Sequence, residues 1–166
     1  MKKAIFLLII LFLVSNCFAQ KDSAIAPPYQ RFPTIPPFKL LKIDSNSYFT
    51  KADLKKKEPV LIILFDPDCD HCQHETEGIL KNIDEFKNIQ IVMATNAPFD
   101  RMTAFYKKYD LEKFENITIG EDFQYFLAPF FNIHNLPYLA MYDKKANLLT
   151  TFEGTMKIEK LIDIFK

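Results

Sequence analysis

The chain has 166 residues, 49% of them hydrophobic and 25% charged, which suits one packed domain and excludes wholesale disorder. Its 21 basic residues are matched by 21 acidic ones, a balance that argues against a nucleic-acid partner, and no nucleic-acid partner is expected. Three glycines, with no G-x-G-x-x-G or Walker pattern, exclude a glycine-rich phosphate loop.

The first element in chain order is a leader. Lys2 and Lys3 precede an unbroken apolar run from Ala4 to Val14, and Ser15-Asn16-Cys17-Phe18-Ala19 supplies a small-residue cleavage region. Residues 1–19 therefore read as an export signal cut before Gln20, and the periplasm of a bacterium is the expected location. The run of 11 apolar residues falls short of the roughly 20 needed to cross a bilayer, so no stable membrane span is expected. A second processing mode uses Val14-Ser15-Asn16-Cys17 as a lipoprotein box and leaves the domain anchored through Cys17. Loss of Lys2 and Lys3 with the leader leaves 19 bases against 21 acids. Residues 20–37 hold five of the ten prolines and read as an extended, polyproline-like linker unable to bury a core. The folded unit is expected to span residues 38–166 and to act as a monomer.

Within that unit, strand and helix periodicities alternate. Phe38–Ile43 and Tyr48–Thr50 flank the turn-rich Asp44-Ser45-Asn46-Ser47, predicting a β-hairpin. Val60–Phe65 is six apolar residues in succession, as in a central strand covered on both faces. A helix is predicted from Cys69 to about Phe86, then a strand over Ile89–Ala94. Met102, Phe105, Tyr106 and Tyr109 are spaced as one helix face. Asn116–Ile119 reads as a short strand, and Phe123, Phe126, Leu127 and Phe130 repeat the helical spacing. Tyr138–Tyr142 and Leu148–Phe152 predict a second hairpin, and Ile158, Leu161, Ile162 and Phe165 a last amphipathic helix. The fold class is α/β, a mixed sheet flanked by helices.

The chemistry gathers in Phe65-Asp66-Pro67-Asp68-Cys69-Asp70-His71-Cys72. Cys69 and Cys72 form a C-x-x-C that follows a buried strand and opens a helix, the setting of a redox dithiol. No second cysteine pair completes a zinc site. Unpaired N–H groups and the partial positive charge of a helix N-terminus stabilise a thiolate at Cys69. Cys72, one turn on, is placed to attack a mixed disulfide formed by Cys69. An inert disulfide across so short a loop constrains the unfolded chain little.

With these residues in view, the sequence resembles the thioredoxin superfamily, and within it the exported TlpA/ResA-like thiol-disulfide oxidoreductases. The resemblance covers nearly all of residues 38–166 and implies a thioredoxin-like fold with an N-terminal β-hairpin. Asn135-Leu136-Pro137-Tyr138 is similar to the family's cis-proline strand, which implies that Pro137 faces the cysteines. Glu75, six residues past Cys69, matches the glutamate that ResA-like proteins carry near the pair, implying a role in handling protons for Cys72. An exposed carboxylate favouring the helix dipole is the other reading of Glu75. The resemblance also implies protein thiol or disulfide substrates, an upstream redox partner and no cofactor. Asp68 stands where the family usually has Trp, Leu136 where Thr or Val is commoner, and Ile63 where thioredoxin has a buried Asp.

Asp66, Asp68 and Asp70 surround Cys69 and disfavour a thiolate there, whereas His71 favours it when protonated. Three carboxylates against one part-time cation favour a reductase, with a couple nearer thioredoxin's at about −270 mV than the strong oxidants' at about −120 mV. Two other classes of function stay open. Cys69, Cys72, His74 and His134 are soft ligands suited to Cu(I), as in a metallochaperone. A non-catalytic thioredoxin-like module would keep the cysteines for stability alone.

Overall fold

A computed structural model describes residues 26–166; the expected leader, its cleavage site and Cys17 lie outside the described residues. Seven strands form one sheet in the order β2-β1-β5-β4-β3-β6-β7. They are β1 (Lys39–Leu41), β2 (Tyr48–Thr50), β3 (Val60–Leu64), β4 (Gln90–Thr95), β5 (Ile117–Glu121), β6 (Tyr138–Tyr142) and β7 (Leu148–Glu153). The helices are α1 (Pro28–Arg31), α2 (Asp70–Lys81), α3 (Phe99–Lys108), α4 (Leu127–Phe131) and α5 (Ile158–Asp163).

Strands β3, β4 and β5 are parallel, because α2 and α3 return the chain between them. β6 runs antiparallel to both β3 and β7, and the hairpin β1–β2 joins the other edge of the sheet through Leu41 and Glu121. This is the mixed sheet with an N-terminal hairpin that the residue pattern predicts. The six-residue run at β3 feeds two separate cores. Leu61, Ile63 and Phe65 pack with α2, α3 and α5, while Val60, Ile62 and Leu64 pack with α4 on the other face. Phenyl rings fill much of both. Phe65 and Phe105 lie 4.7 Å apart between ring centres, a pair worth about 0.5–1.5 kcal/mol beyond its buried area.

Three local expectations differ from the structure. The predicted helix from Cys69 to Phe86 ends at Lys81, and a separate helical turn covers Ile83–Phe86. The break falls at Asn82, whose side-chain amide turns back to donate to the carbonyl of Gly78. The aromatic run after β5 becomes only the short α4. Phe123 and Tyr125 stay exposed, and the buried Asp122 carboxylate accepts from the N–H groups of Phe126 and Leu127 instead of letting a helix begin earlier.

The third concerns residues 28–37, expected to be part of an extended spacer. They are docked. α1 starts at a proline, which suits the first helical position, and Tyr29 packs 6.1 Å from Phe131. Ile35 and Phe38 are buried among the residues of the α4 core, and Thr34 bridges to Asn147 beside the β6–β7 turn. The prolines fix φ at their own positions but do not prevent isolated apolar side chains between them from reaching the core.

Candidate active site

The C-terminal end of β3 delivers the chain into Asp66-Pro67-Asp68, a turn fixed largely by Asp66. Its carbonyl accepts from the Cys69 N–H at 3.1 Å, and its Oδ1 accepts from the Asp68 N–H at 2.8 Å. Gln73, one turn into α2, donates to the Pro67 carbonyl at 2.8 Å and is itself held by Lys108 of α3. Cys69 is thereby placed at the N-cap of α2, half-buried, while Cys72 lies on the inner face at 1% exposure. Burial pushes the Cys72 thiol up to about 12, and the neighbouring Cys69 adds to the effect.

The peptide bond between Leu136 and Pro137 is cis, as the resemblance implies, and it leads directly into β6. The Leu136 carbonyl lies 4.0 Å from Cys69 Sγ, so this segment and the cysteine pair face each other. Glu153 of β7 holds the segment from behind. Its Oε1 accepts from the His134 N–H and its Oε2 from the Asn135 side chain, each at 3.0 Å. Partial burial acts to raise the Glu153 carboxyl, but these donors outweigh it and hold the group below the usual carboxylate range.

Glu75 follows Cys72 by three residues and so shares its buried face of α2. It is 1% exposed, which removes the reading of an exposed first-turn carboxylate. Burial raises its carboxyl above the ordinary value, although the Met156 N–H donates to Oε2 at 2.8 Å and opposes the rise. Oε1 has no hydrogen-bond partner among the described residues. His71, at the start of α2, is exposed, and so are His74 further along that helix and His134 in the segment before β6. Among the described residues no three His, Cys, Asp or Glu side chains gather closely enough to hold a metal ion, so Cys69, Cys72, His74 and His134 do not form a ligand cluster.

Sequence reasoning missed Arg101. It reaches from α3 to Asp66, with Nη2 3.2 Å from Oδ1, and to Asp68. The aspartates expected to stand uncompensated around Cys69 are thus paired in two of three cases, which weakens the charge balance from which a reductase was expected. A cleft of about 440 Å³ opens beside this loop, lined by Asp66, Ala97, Pro98, Arg101, His134 and Leu136. Glu153 was also missed. Neither carries a local motif, since each meets its partners across a sequence gap of 18 residues or more.

The strand order, with helices on both faces of one mixed sheet, is that of a thioredoxin-like fold. No protein-family model and no curated relative matches the sequence. Solved structures match the fold. One is a secreted disulfide oxidoreductase of Mycobacterium tuberculosis homologous to E. coli DsbE, at 20% identity and TM-score 0.64, covering 77% of this chain and 93% of that one. DsbF of the same organism matches at 20% identity and TM-score 0.66, over 79% and 96% of the two chains. StoA of Bacillus subtilis matches at 17% identity and TM-score 0.60, over 80% and 98%. The chain has the thioredoxin-like fold of these proteins.

Proposed function

We propose that this chain is an exported thiol-disulfide oxidoreductase that reduces protein disulfides, with Cys69 as the attacking thiol and Cys72 as the resolving one. The observation that carries the reading is the contrast between the two thiols. Cys69 stands half-buried at the N-terminus of α2 beside an open cleft, and Cys72 is 1% exposed with its thiol pushed up to about 12. Such a pair works in sequence: an accessible thiolate attacks, and a protected thiol responds only when the mixed disulfide brings a sulfur to it.

In the first step the Cys69 thiolate attacks one sulfur of a substrate disulfide. The substrate S–S bond breaks, a mixed disulfide forms, and the other substrate sulfur leaves as a thiolate that takes a proton. In the second step Cys72 loses its proton and attacks Cys69 Sγ. The mixed disulfide breaks, the second substrate thiol departs, and Cys69 and Cys72 are left as a disulfide. Two electrons have passed to the substrate, and an upstream dithiol must return them. Glu75, buried on the face it shares with Cys72, is assigned the proton of the second step. Pro137 and the segment before it form the wall against which the substrate chain lies. His71, at the surface beside the pair, modulates the charge of the helix start. Processing before Gln20 is the proposed route of export, with lipidation at Cys17 as its alternative.

The test is a Cys72→Ser variant exposed to extract from the exported fraction. It should retain partner proteins as mixed disulfides on Cys69 that dithiothreitol releases, and the intact protein should reduce a model protein disulfide. Absence of both activities in folded protein overturns the reading.

A further inference from the structure

Arg101 occupies the first turn of α3, where the partial positive charge of a helix N-terminus disfavours a cation. Nothing local recommends arginine there. What the position offers is reach: the guanidinium spans to Asp66 and Asp68, 35 and 33 residues away, on the turn that ends at Cys69. Asp66 already holds that turn through its own carbonyl and side chain, so Arg101 fastens the loop at the residue on which its shape depends.

We propose that Arg101 is a positioning residue of the redox loop, which by pairing with Asp66 and Asp68 holds the turn that presents Cys69 and offsets their negative charge beside the attacking sulfur. This rests on the reading of Cys69 as the attacking thiol. The groups around that thiol come from every neighbouring element. Asp66, Asp68, Asp70 and His71 lie on its own segment, and Cys72 is one turn along. Arg101 comes from α3, while His134 and the Glu153 behind it come from the segment before β6 and from β7. Without Arg101 the carboxylates of Asp66 and Asp68, on the turn that ends at Cys69, lose their ion pair, and like charge disfavours a thiolate. The ion pairs are partly exposed, with Arg101 39% and Asp68 71% accessible, so solvent moderates the effect without removing it.

The experiment is alkylation of Cys69 in reduced protein by iodoacetamide across a pH series, followed by mass spectrometry. Arg101→Gln should slow the reaction at neutral pH by about three- to tenfold and shift the midpoint of the profile upward. Arg101→Lys, which keeps the charge, should retain most of the rate. Adding Asp66→Asn and Asp68→Asn to Arg101→Gln should restore it. Should Arg101→Gln not fold, Arg101→Met, which keeps the apolar stem, takes its place. A wild-type rate in the uncharged variant, an equal loss in Arg101→Lys, or no recovery on neutralising the aspartates overturns the proposal. Its failure is separable from that of the proposed function. A wild-type protein that reduces disulfides while Arg101→Gln alkylates normally sinks this inference alone. A wild type without redox activity whose Arg101→Gln variant alkylates slowly sinks the function alone.

Discussion

The backbone N–H of Met156 donates a 2.8 Å hydrogen bond to Oε2 of Glu75, joining the loop after β7 to the middle of the cysteine-bearing helix across 81 residues. Both partners are buried, so the bond is made where water cannot replace it. It turns an acidic side chain into a structural brace and leaves its other oxygen to face the core.

That arrangement fixes the sign of a pH effect. The folded Glu75 carboxyl lies above its unfolded value of about 4.3, so the folded state holds the proton more tightly. The stability this contributes is complete below the unfolded value and is lost as pH rises through the folded one. Glu75→Gln keeps an acceptor for Met156 and carries no charge. It should be more stable than the parent near neutral pH and little different near pH 4, by urea denaturation at both. A gap that is the same at both pH values contradicts the buried-charge account. Glu75→Ala, by contrast, should cost about 1–3 kcal/mol by stranding the Met156 N–H.

Alkylation should separate the two thiols. With its thiol pushed up to about 12 and 1% of its surface exposed, Cys72 should react at least about tenfold more slowly than Cys69 in the native dithiol. In denaturant the two should react alike. Faster native labelling of Cys72 reverses the assignment of roles.

Glu153 should behave as the support of the cis-proline segment. Removing its carboxylate in Glu153→Ala unpartners the His134 N–H and the Asn135 amide, both near the surface, at a cost of about 0.5–1.5 kcal/mol. Because the folded carboxyl lies below its ordinary value, its contribution is present above about pH 4.3 and fades as pH falls through the folded value. The fall in disulfide-reduction rate should exceed what the stability loss explains. A variant with unchanged rate shows that the segment keeps its place unaided.

The proline-rich arm should matter to stability. Ile35 is 3% exposed within the α4 core, so Ile35→Ala should destabilise the protein by about 2–4 kcal/mol. Chemical denaturation measures it, and an effect below about 0.5 kcal/mol would mean the arm is dispensable.

Much of the sheet was legible in the sequence because its central strands are covered on both faces and so announce themselves as apolar runs. β6 falls at Tyr138–Tyr142, as the run predicts, and β3 stops one residue short of the predicted Phe65. The C-x-x-C at a helix start was legible for the same reason: motif, strand and helix are contiguous. Arg101, Glu153 and the Glu75–Met156 brace were not, since each depends on elements brought together only by the sheet topology. Asp122 misled the reading of α4 in a related way. Its buried carboxylate consumes the N–H groups of Phe126 and Leu127, and periodicity records apolar spacing but not where a polar cap interrupts it.

Cys72 belongs to the same apolar cluster as Leu61, Phe65, Met93 and Phe105. Whatever happens to its sulfur is therefore felt by the core, and under the proposed function the Cys69–Cys72 couple and the folding equilibrium share one thermodynamic cycle. The difference in unfolding free energy between the disulfide and dithiol forms must equal the difference between the redox free energies of the native and unfolded pairs. A core substitution far from the cleft that favours one form shifts the protein's electron affinity by the same amount. Denaturation curves of the two forms thus serve as a voltmeter for this protein, with the unfolded chain as its reference electrode.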